Sequence, residues 1–407
     1  MIFLTGVRVI DGMGNNPVEN QSILIDDSII KWIGKEQDRN NPGESIEKIN
    51  LQGKTLLPGL IDCHVHILYN PDPAAYPSPV PFQAQRDLLN STHYARKTLE
   101  AGFTTIRDMM APNEMIFALR DSIAAGEIEG PRILAAGKCI TITGGHGTQY
   151  GPGGFIEADG EQEVLKAVRS QLKAGADLIK IMATRPALSK PFYGREAYQV
   201  HEMRAGVDEA HRAGVKVAAH CHSIVSGVKN AIRAGVDSIE HSAPLDNEAM
   251  DLMLEHGTYM VPTLSVSAGL QECIDQQLFP YPSGALKRAL ELAQETTQAV
   301  SEAYKRGVKI ALGTDASMPN VFHGNNAREF ELMVACGLSP MQALVAGTMN
   351  AAQNLGKENE IGTISVGKLA DLVVVDGDPL KDIRILQDKN RIVMVIKEGQ
   401  IKVDRRK

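Results

Sequence analysis

The chain predicts an α/β protein: a (β/α)8 TIM barrel carrying a small β-sandwich domain built from both chain ends. Three observations carry this. Eight apolar, strand-like runs lie between residues 56 and 315, and helix-length segments separate most of them. Ala-Gly or His-Gly precedes several runs (Ala101-Gly102, Ala174-Gly175, Ala213-Gly214, Ala234-Gly235, His256-Gly257), as expected where a helix stops. Both termini instead hold short strands and turns with no helical period. The division predicted is 1–57 plus 358–407 for the sandwich and 58–357 for the barrel.

In order, Ile2-Phe3-Leu4, Val7-Arg8-Val9-Ile10, Ser22-Ile23-Leu24-Ile25 and Ile29-Ile30-Lys31-Trp32-Ile33-Gly34 read as strands of a small antiparallel sheet, with turns at Asp11-Gly12 and Asp26-Asp27. The barrel strands are expected at 56–64, 103–108, 132–137, 178–182, 215–220, 238–241, 259–263 and 308–315. Helices are expected at 86–100, 161–174, 205–213, 246–256 and 285–306. The far end returns to strands at 362–364, 370–376 and 392–397, which are expected to pair with the first ones. Pro71 to Pro81 holds five prolines and reads as a lid or an oligomer contact.

The 407 residues are 43% hydrophobic and 22% charged, ordinary for a soluble globular protein. A net charge of -7, from 42 basic and 49 acidic residues without a basic block, argues against nucleic acid as a partner. No apolar run reaches membrane-spanning length and no signal-peptide pattern opens the chain, so a cytoplasmic homo-oligomer acting on a small molecule is expected. The five cysteines are scattered without a CxxC, which fits reduced thiols.

The polar residues of the middle segment collect at the predicted strand ends. His64 and His66 close the first strand, and their spacing of two puts both on one face. His220 and His222 close the fifth, His241 the sixth and Asp315 the eighth. Barrel active sites lie at that rim. Such a set of His with one Asp suits zinc or a similar divalent ion. Lys180, inside Leu178-Ile179-Lys180-Ile181-Met182, is costly there as an ammonium, and burial near cations favours the neutral amine. A neutral amine can add carbon dioxide, and the resulting carbamate can bridge two metals. Each residue alone also has a plainer reading: a satisfied core histidine, a helix-capping Asp, a Lys paired with a carboxylate.

Pro58-Gly59-Leu60-Ile61-Asp62-Cys63-His64-Val65-His66, Lys180, His220, His241, Asp315 and the closing Gly362-Thr363-Ile364-Ser365-Val366-Gly367-Lys368-Leu369-Ala370-Asp371-Leu372-Val373-Val374 together resemble the amidohydrolase superfamily, binuclear branch. The resemblance runs from about Val7 to the last strand. It implies that His64, His66 and Asp315 hold one metal, His220 and His241 a second, and that carboxylated Lys180 bridges them. It also implies hydrolysis of an amide or related carbonyl bond, with Asp315 moving the proton.

Ile142-Thr143-Gly144-Gly145-His146-Gly147, the Lys180 strand, Phe322-His323-Gly324-Asn325-Asn326-Ala327-Arg328-Glu329-Phe330 and Gly337-Leu338-Ser339-Pro340 are similar to the prolidase-like, Xaa-Arg/Lys carboxypeptidase-like and imidazolonepropionase-related group. There His146 is implied to meet the substrate near the scissile carbonyl. Two departures stand out. The chain reads Ala183-Thr184-Arg185-Pro186 where the group continues Ala-Thr-Gly-Gly, and His222 where the dipeptidases often carry Tyr. Arg185, His222 and His323 are therefore candidates for the substrate's carboxylate. Dipeptides, N-acyl amino acids, anilides and carbamates stay open as substrates. A deaminase or cyclic-amide hydrolase and a non-catalytic relative are the competing classes. The first wants a Glu after the strand-5 ligand and leaves Lys180 idle; the second has usually lost ligands.

Overall fold

The computed structural model describes residues 1–38, 46–73, 84–148, 153–185, 195–222, 224–278 and 283–406. The chain opens with β1 (Ile2–Val9), β2 (Val18–Asp26), β3 (Ile29–Gly34), β4 (Glu47–Asn50) and β5 (Thr55–Pro58). The middle strands are β6 (Leu60–Val65), β7 (Phe103–Asp108), β8 (Arg132–Ala135), β9 (Cys139–Thr141), β10 (Phe155–Glu157), β11 (Leu178–Met182), β12 (Lys216–His222), β13 (Ser238–Ala243) and β14 (Tyr259–Val261). The last are β15 (Leu372–Val375), β16 (Ile392–Lys397) and β17 (Gln400–Asp404). The helices are α1 (Ala84–Glu100), α2 (Asn113–Ala124), α3 (Gly160–Ala174), α4 (Val200–Arg212), α5 (Val225–Ala234), α6 (Asn247–His256), α7 (Leu264–Asp275), α8 (Ser283–Arg306), α9 (Arg328–Ala335), α10 (Pro340–Ala346) and α11 (Met349–Asn354).

Strands from the two ends pair, but as one mixed sheet in the order β17-β16-β15-β5-β1-β2-β3, with β4 also on β1. β1 runs parallel to β4 and β5, so the sheet is not the purely antiparallel one expected. Each strand sends alternate residues to opposite faces. Leu56, Leu372, Val374 and Ile396 join Ile23 and Ile25 in the sheet's own core. Leu57, Val373, Val375 and Val395 face the core of the middle segment. Both faces are thus apolar, and each buried Val or Leu contributes about 1.5–3 kcal/mol.

The middle strands pair in parallel, as β6-β7-β8 and as β10-β9-β11-β12-β13-β14. Asp177 N–H donates to Ala135 O at 2.9 Å, tying the first group to the approach of β11. The expected strand 308–315 is an extended but irregular segment. It receives Cys63 N–H on Leu312 O (2.8 Å), and Ala311 N–H donates to Met260 O (2.9 Å), so it lies between β14 and β6. Regular pairing fails there because Leu312 N–H donates to Ala346 O (2.9 Å) and Thr314 N–H to the Asp62 carboxylate (3.1 Å), and Asp315 then turns into the left-handed region, φ 59°. A Cβ on Gly313 would stand 2.4 Å from Val261 Cγ1 and 2.8 Å from His64 Cβ.

Helices stop where expected: Gly175, Gly235 and Gly257 cap α3, α5 and α6 in the left-handed region. α4 begins earlier than the predicted 205, because the Glu202 carboxylate accepts from Gln199 N–H at 2.7 Å and secures its first turn. Among the described residues no helix is long and apolar enough to cross a membrane. The reading of 71–81 as a lid or oligomer contact falls largely on residues 74–83, outside the described residues.

Candidate metal centre

Strand geometry brings the polar ends together. His64 and His66 leave the end of β6 on one face, and His220 and His222 leave β12 the same way. Ligand atoms of His64, His66 and Asp315 lie within 4.8 Å of one another, as do those of His220, His222 and His241. The groups adjoin: the His64 and His241 rings are 4.9 Å apart, and His241 Nδ1 is 3.9 Å from Asp315 Oδ2. His222 stacks on His241 at 4.5 Å, so it stands within the second group of candidate ligands.

The backbone is held in unusual form at these points. His241 (φ 71°) and Asp315 (φ 59°) both lie in the left-handed region, which non-glycine residues enter at a cost and mostly at functional sites. Asp62 helps to hold the backbone at His64 and before Asp315. Its carboxylate, pushed up to about 6 by burial, accepts from His64 N–H, Thr314 N–H, Thr314 Oγ1 and Asn326 Nδ2. One buried side chain thereby joins the strand before His64 to the residue before Asp315. Asp108 does the same for the turn after His66, accepting from Ile67 N–H at 2.8 Å.

Buried polar atoms normally find partners. Among the described residues Lys180 Nζ, His66 Nδ1, His220 Nε2 and His222 Nδ1 have no hydrogen-bond partner, while Asp315 Oδ1 lies 3.1 Å from His66 Nε2. Burial pushes His64 and His222 down to about 4, and His220 and His241 well below the ordinary range, so these imidazoles are neutral. Burial raises Asp315, but His64 and His66 outweigh it and hold the carboxyl at about 2. Burial lowers Lys180. Neutral imidazoles, an ionised carboxylate and unsatisfied buried atoms form a donor set that fits divalent cations.

The remaining predicted residues fall into place differently. His146 stacks on His220 at 4.1 Å, so it is part of the site. Arg185 follows β11, its N–H on Arg195 O at 3.0 Å. Its charge helps keep Asp159 below the usual carboxylate range, after the hydrogen bonds from Thr143, so it faces the loop that carries His146. His323 is tied to Thr98 Oγ1 and Ser317 Oγ at 3.2 and 3.1 Å and stacks on Tyr94. It braces the loop after Asp315, and both ring nitrogens are engaged. Residues outside the predicted set are also involved: Asp62, Arg107, Glu240, Thr263 and Asn326. Thr263 Oγ1 lies 2.8 Å from His241 Nδ1 and so orients that ring.

Comparison with known proteins agrees with this geometry. The profile of the amidohydrolase family matches residues 55–402. An ochratoxinase of Aspergillus niger is 30% identical over 419 residues, spanning 95% of this chain and 83% of that protein. A crystal structure of a Xaa-Pro dipeptidase with methionine bound in its active site has a TM-score of 0.89 at 37% identity, covering 98% of this chain and 99% of that one. A prolidase complexed with N-methylphosphonate-L-proline has a TM-score of 0.87 at 30% identity, covering 100% of both chains.

Proposed function

The chain belongs to the amidohydrolase family and is a metal-dependent hydrolase; we propose that it cleaves the amide bond of a small substrate with a free carboxylate on the leaving side, a dipeptide or an N-acyl amino acid. The observation that carries this reading is the pair of adjoining ligand groups with the unpartnered Lys180 amine buried among them. His64, His66 and Asp315 would hold one ion, and His220 and His241, with His222 beside them, a second. Zinc suits these donors. Lys180, as its carbamate, would complete both sets; burial, which lowers its pKa, and the lack of a hydrogen-bond partner among the described residues favour this. The parallel strand order, continued from β14 through residues 310–315 to β6, supports a (β/α)8 barrel for 58–357. The mixed sheet then makes the small domain of 1–57 plus 358–407.

When bound, such ions polarise a carbonyl and lower the pKa of water. The chain's own residues do the rest. Asp315, ionised and buried, takes a proton from the attacking water and hands it to the leaving nitrogen. Neutral His146, which burial pushes down to about 3, donates to the scissile carbonyl oxygen. Arg185 reads the substrate's carboxylate through charge-assisted hydrogen bonds. A second reading, a non-peptide amide such as a carbamate or anilide, is favoured by Arg185 and His222, both of which depart from the dipeptidase pattern.

The test is elemental analysis of protein produced with zinc and bicarbonate, followed by a panel of dipeptides, N-acyl amino acids and their C-terminal amides. About two ions per chain and turnover of the free acids are expected. One ion or none, with an unmodified Lys180, would sink the binuclear reading; equal turnover of acids and amides would sink the carboxylate reading.

A further inference from the structure

Two fully buried charges lie beneath the ligands, Arg107 on β7 and Glu240 on β13. Arg107 Nη2 donates to Glu240 Oε1 at 2.8 Å, and Nη1 reaches Ser238 Oγ at 3.3 Å. Ser238 Oγ donates to the same Oε1 at 2.6 Å. Arg107 Nε donates to Cys63 O, the carbonyl just before His64. The other carboxylate oxygen, Oε2, lies 2.7 Å from His64 Nδ1, while His64 Nε2 faces Asp315 Oδ1 at 3.5 Å.

Stability does not account for this pair. Desolvating two charges often costs as much as their attraction returns, and apolar residues of similar volume serve as well. Recognition does account for it. One oxygen of Glu240 is saturated by Arg107 and Ser238, which leaves the other aimed at a single imidazole. A ligand histidine must present one lone pair in a fixed direction, and a carboxylate on its other nitrogen sets both tautomer and ring angle.

We propose that Glu240 is the positioning residue for His64: held by Arg107 and Ser238, it accepts the Nδ1–H and so turns the Nε2 lone pair towards the ion shared with His66 and Asp315. Arg107 acts twice, orienting the carboxylate and, through Cys63 O, fixing the backbone that carries the ring. The inference rests on the metal reading above and adds residues that touch neither ion nor substrate.

Removing Glu240 alone strands the Arg107 charge, so the variants are made as pairs. Arg107→Met/Glu240→Leu removes the acceptor; Arg107→Met/Glu240→Gln keeps an uncharged one. Zinc is titrated against a chromophoric chelator. The Leu pair should hold one of its two ions about 10–100-fold more weakly than wild type, and the Gln pair should recover part of that loss. A folded Leu pair with wild-type affinity for both ions, or Leu and Gln pairs equally impaired, would overturn the proposal. His64→Ala is the control. If it loses an ion while the Leu pair keeps both, only the positioning role falls; a wild type that holds no ion overturns the metal reading itself, and the proposal with it. Nitrogen-15 spectra of histidine-labelled wild type, assigned with His64→Ala, give a measurement that needs no folded pair. They should show His64 as the Nδ1–H tautomer, and an Nε2–H tautomer would overturn the proposal.

Discussion

Replacing Glu329 with Gln should change stability in opposite directions at the two ends of the pH scale. Glu329 is fully buried and accepts from Leu264 N–H and Ser265 N–H at 2.8 Å each and from Ser265 Oγ at 2.6 Å. It thereby caps the first turn of α7, just after Thr263, whose hydroxyl touches His241. Burial nonetheless pushes its carboxyl from the ordinary 4.5 up to about 8, against those hydrogen bonds. At low pH both states are protonated. As pH rises from 4.5 towards 8 the unfolded chain gives up its proton and the folded one keeps it, so wild-type stability falls. The gap corresponds to up to about 5 kcal/mol above pH 8. Gln copies the neutral acid but cannot accept from both backbone N–H groups, which costs about 1–3 kcal/mol at every pH. The variant should therefore be weaker than wild type by up to about 2 kcal/mol at pH 5 and stronger by about 2–4 kcal/mol at pH 9. Urea unfolding of both metal-free proteins at pH 5, 7 and 9 measures this. A stability difference that does not vary with pH would show that Glu329 is ionised throughout and that the helix N-terminus outweighs burial.

Asp315→Asn should keep the fold and most of the metal while kcat falls about 10²–10⁴-fold, since Asn moves no proton; near wild-type kcat would remove Asp315 as the base. Arg185→Ala should lower kcat/KM for a free-acid substrate by about 2–4 kcal/mol and barely change it for the amidated analogue; equal losses would leave Arg185 as the partner of Asp159 and nothing more. Gly313→Ala places a methyl group 2.4 Å from Val261 Cγ1 and 2.8 Å from His64 Cβ. It should destabilise by about 1–3 kcal/mol and weaken zinc binding, as thermal unfolding and chelator competition would show; an unchanged variant would mean the strand end is loose.

The two groups of candidate ligands could be read in the sequence because they stand at strand ends, where a polar residue interrupts an apolar run. His64, His66, His220, His241 and Asp315 all carry that mark. The residues that aim them do not. Glu240 is one letter in Ser238-Ile239-Glu240-His241, and Arg107 one in Thr105-Ile106-Arg107-Asp108. In a strand, either reads as a solvent-facing charge, and only depth across the molecule reveals that they face each other. His222 illustrates the converse: alternation put it on the face of His220, but only the turn of His241 (φ 71°) brings the three together. Regularity also misled at 308–315, where the apolar pattern is that of a strand while Leu312 and Thr314 turn their N–H groups out of the ladder. His323 was expected among the donors to the substrate's carboxylate; its partners Thr98 and Tyr94 come from α1, far away in sequence.

The sheet that joins the chain's two ends sets a timetable for its synthesis. β5 finds β15, and Thr55 Oγ1 finds Gly377 O, 322 residues downstream. At about 5–20 residues per second, a ribosome takes roughly 15–65 s to cover that distance. Through that interval β1 to β5 have made their first ladder but present an unpaired edge at β5, whose residues are buried once β15 arrives. β6 follows after a single glycine, so the first candidate metal ligands, His64 and His66, emerge next to that open edge. A nascent chain stalled short of residue 372 would keep an apolar strand template exposed, the state in which strands pair with wrong partners. Moving the chain's start and end to between residues 73 and 84, so that residues 372–404 are made just before residue 1, would close the sheet early; the rearranged chain should depend less on chaperones than the natural order does.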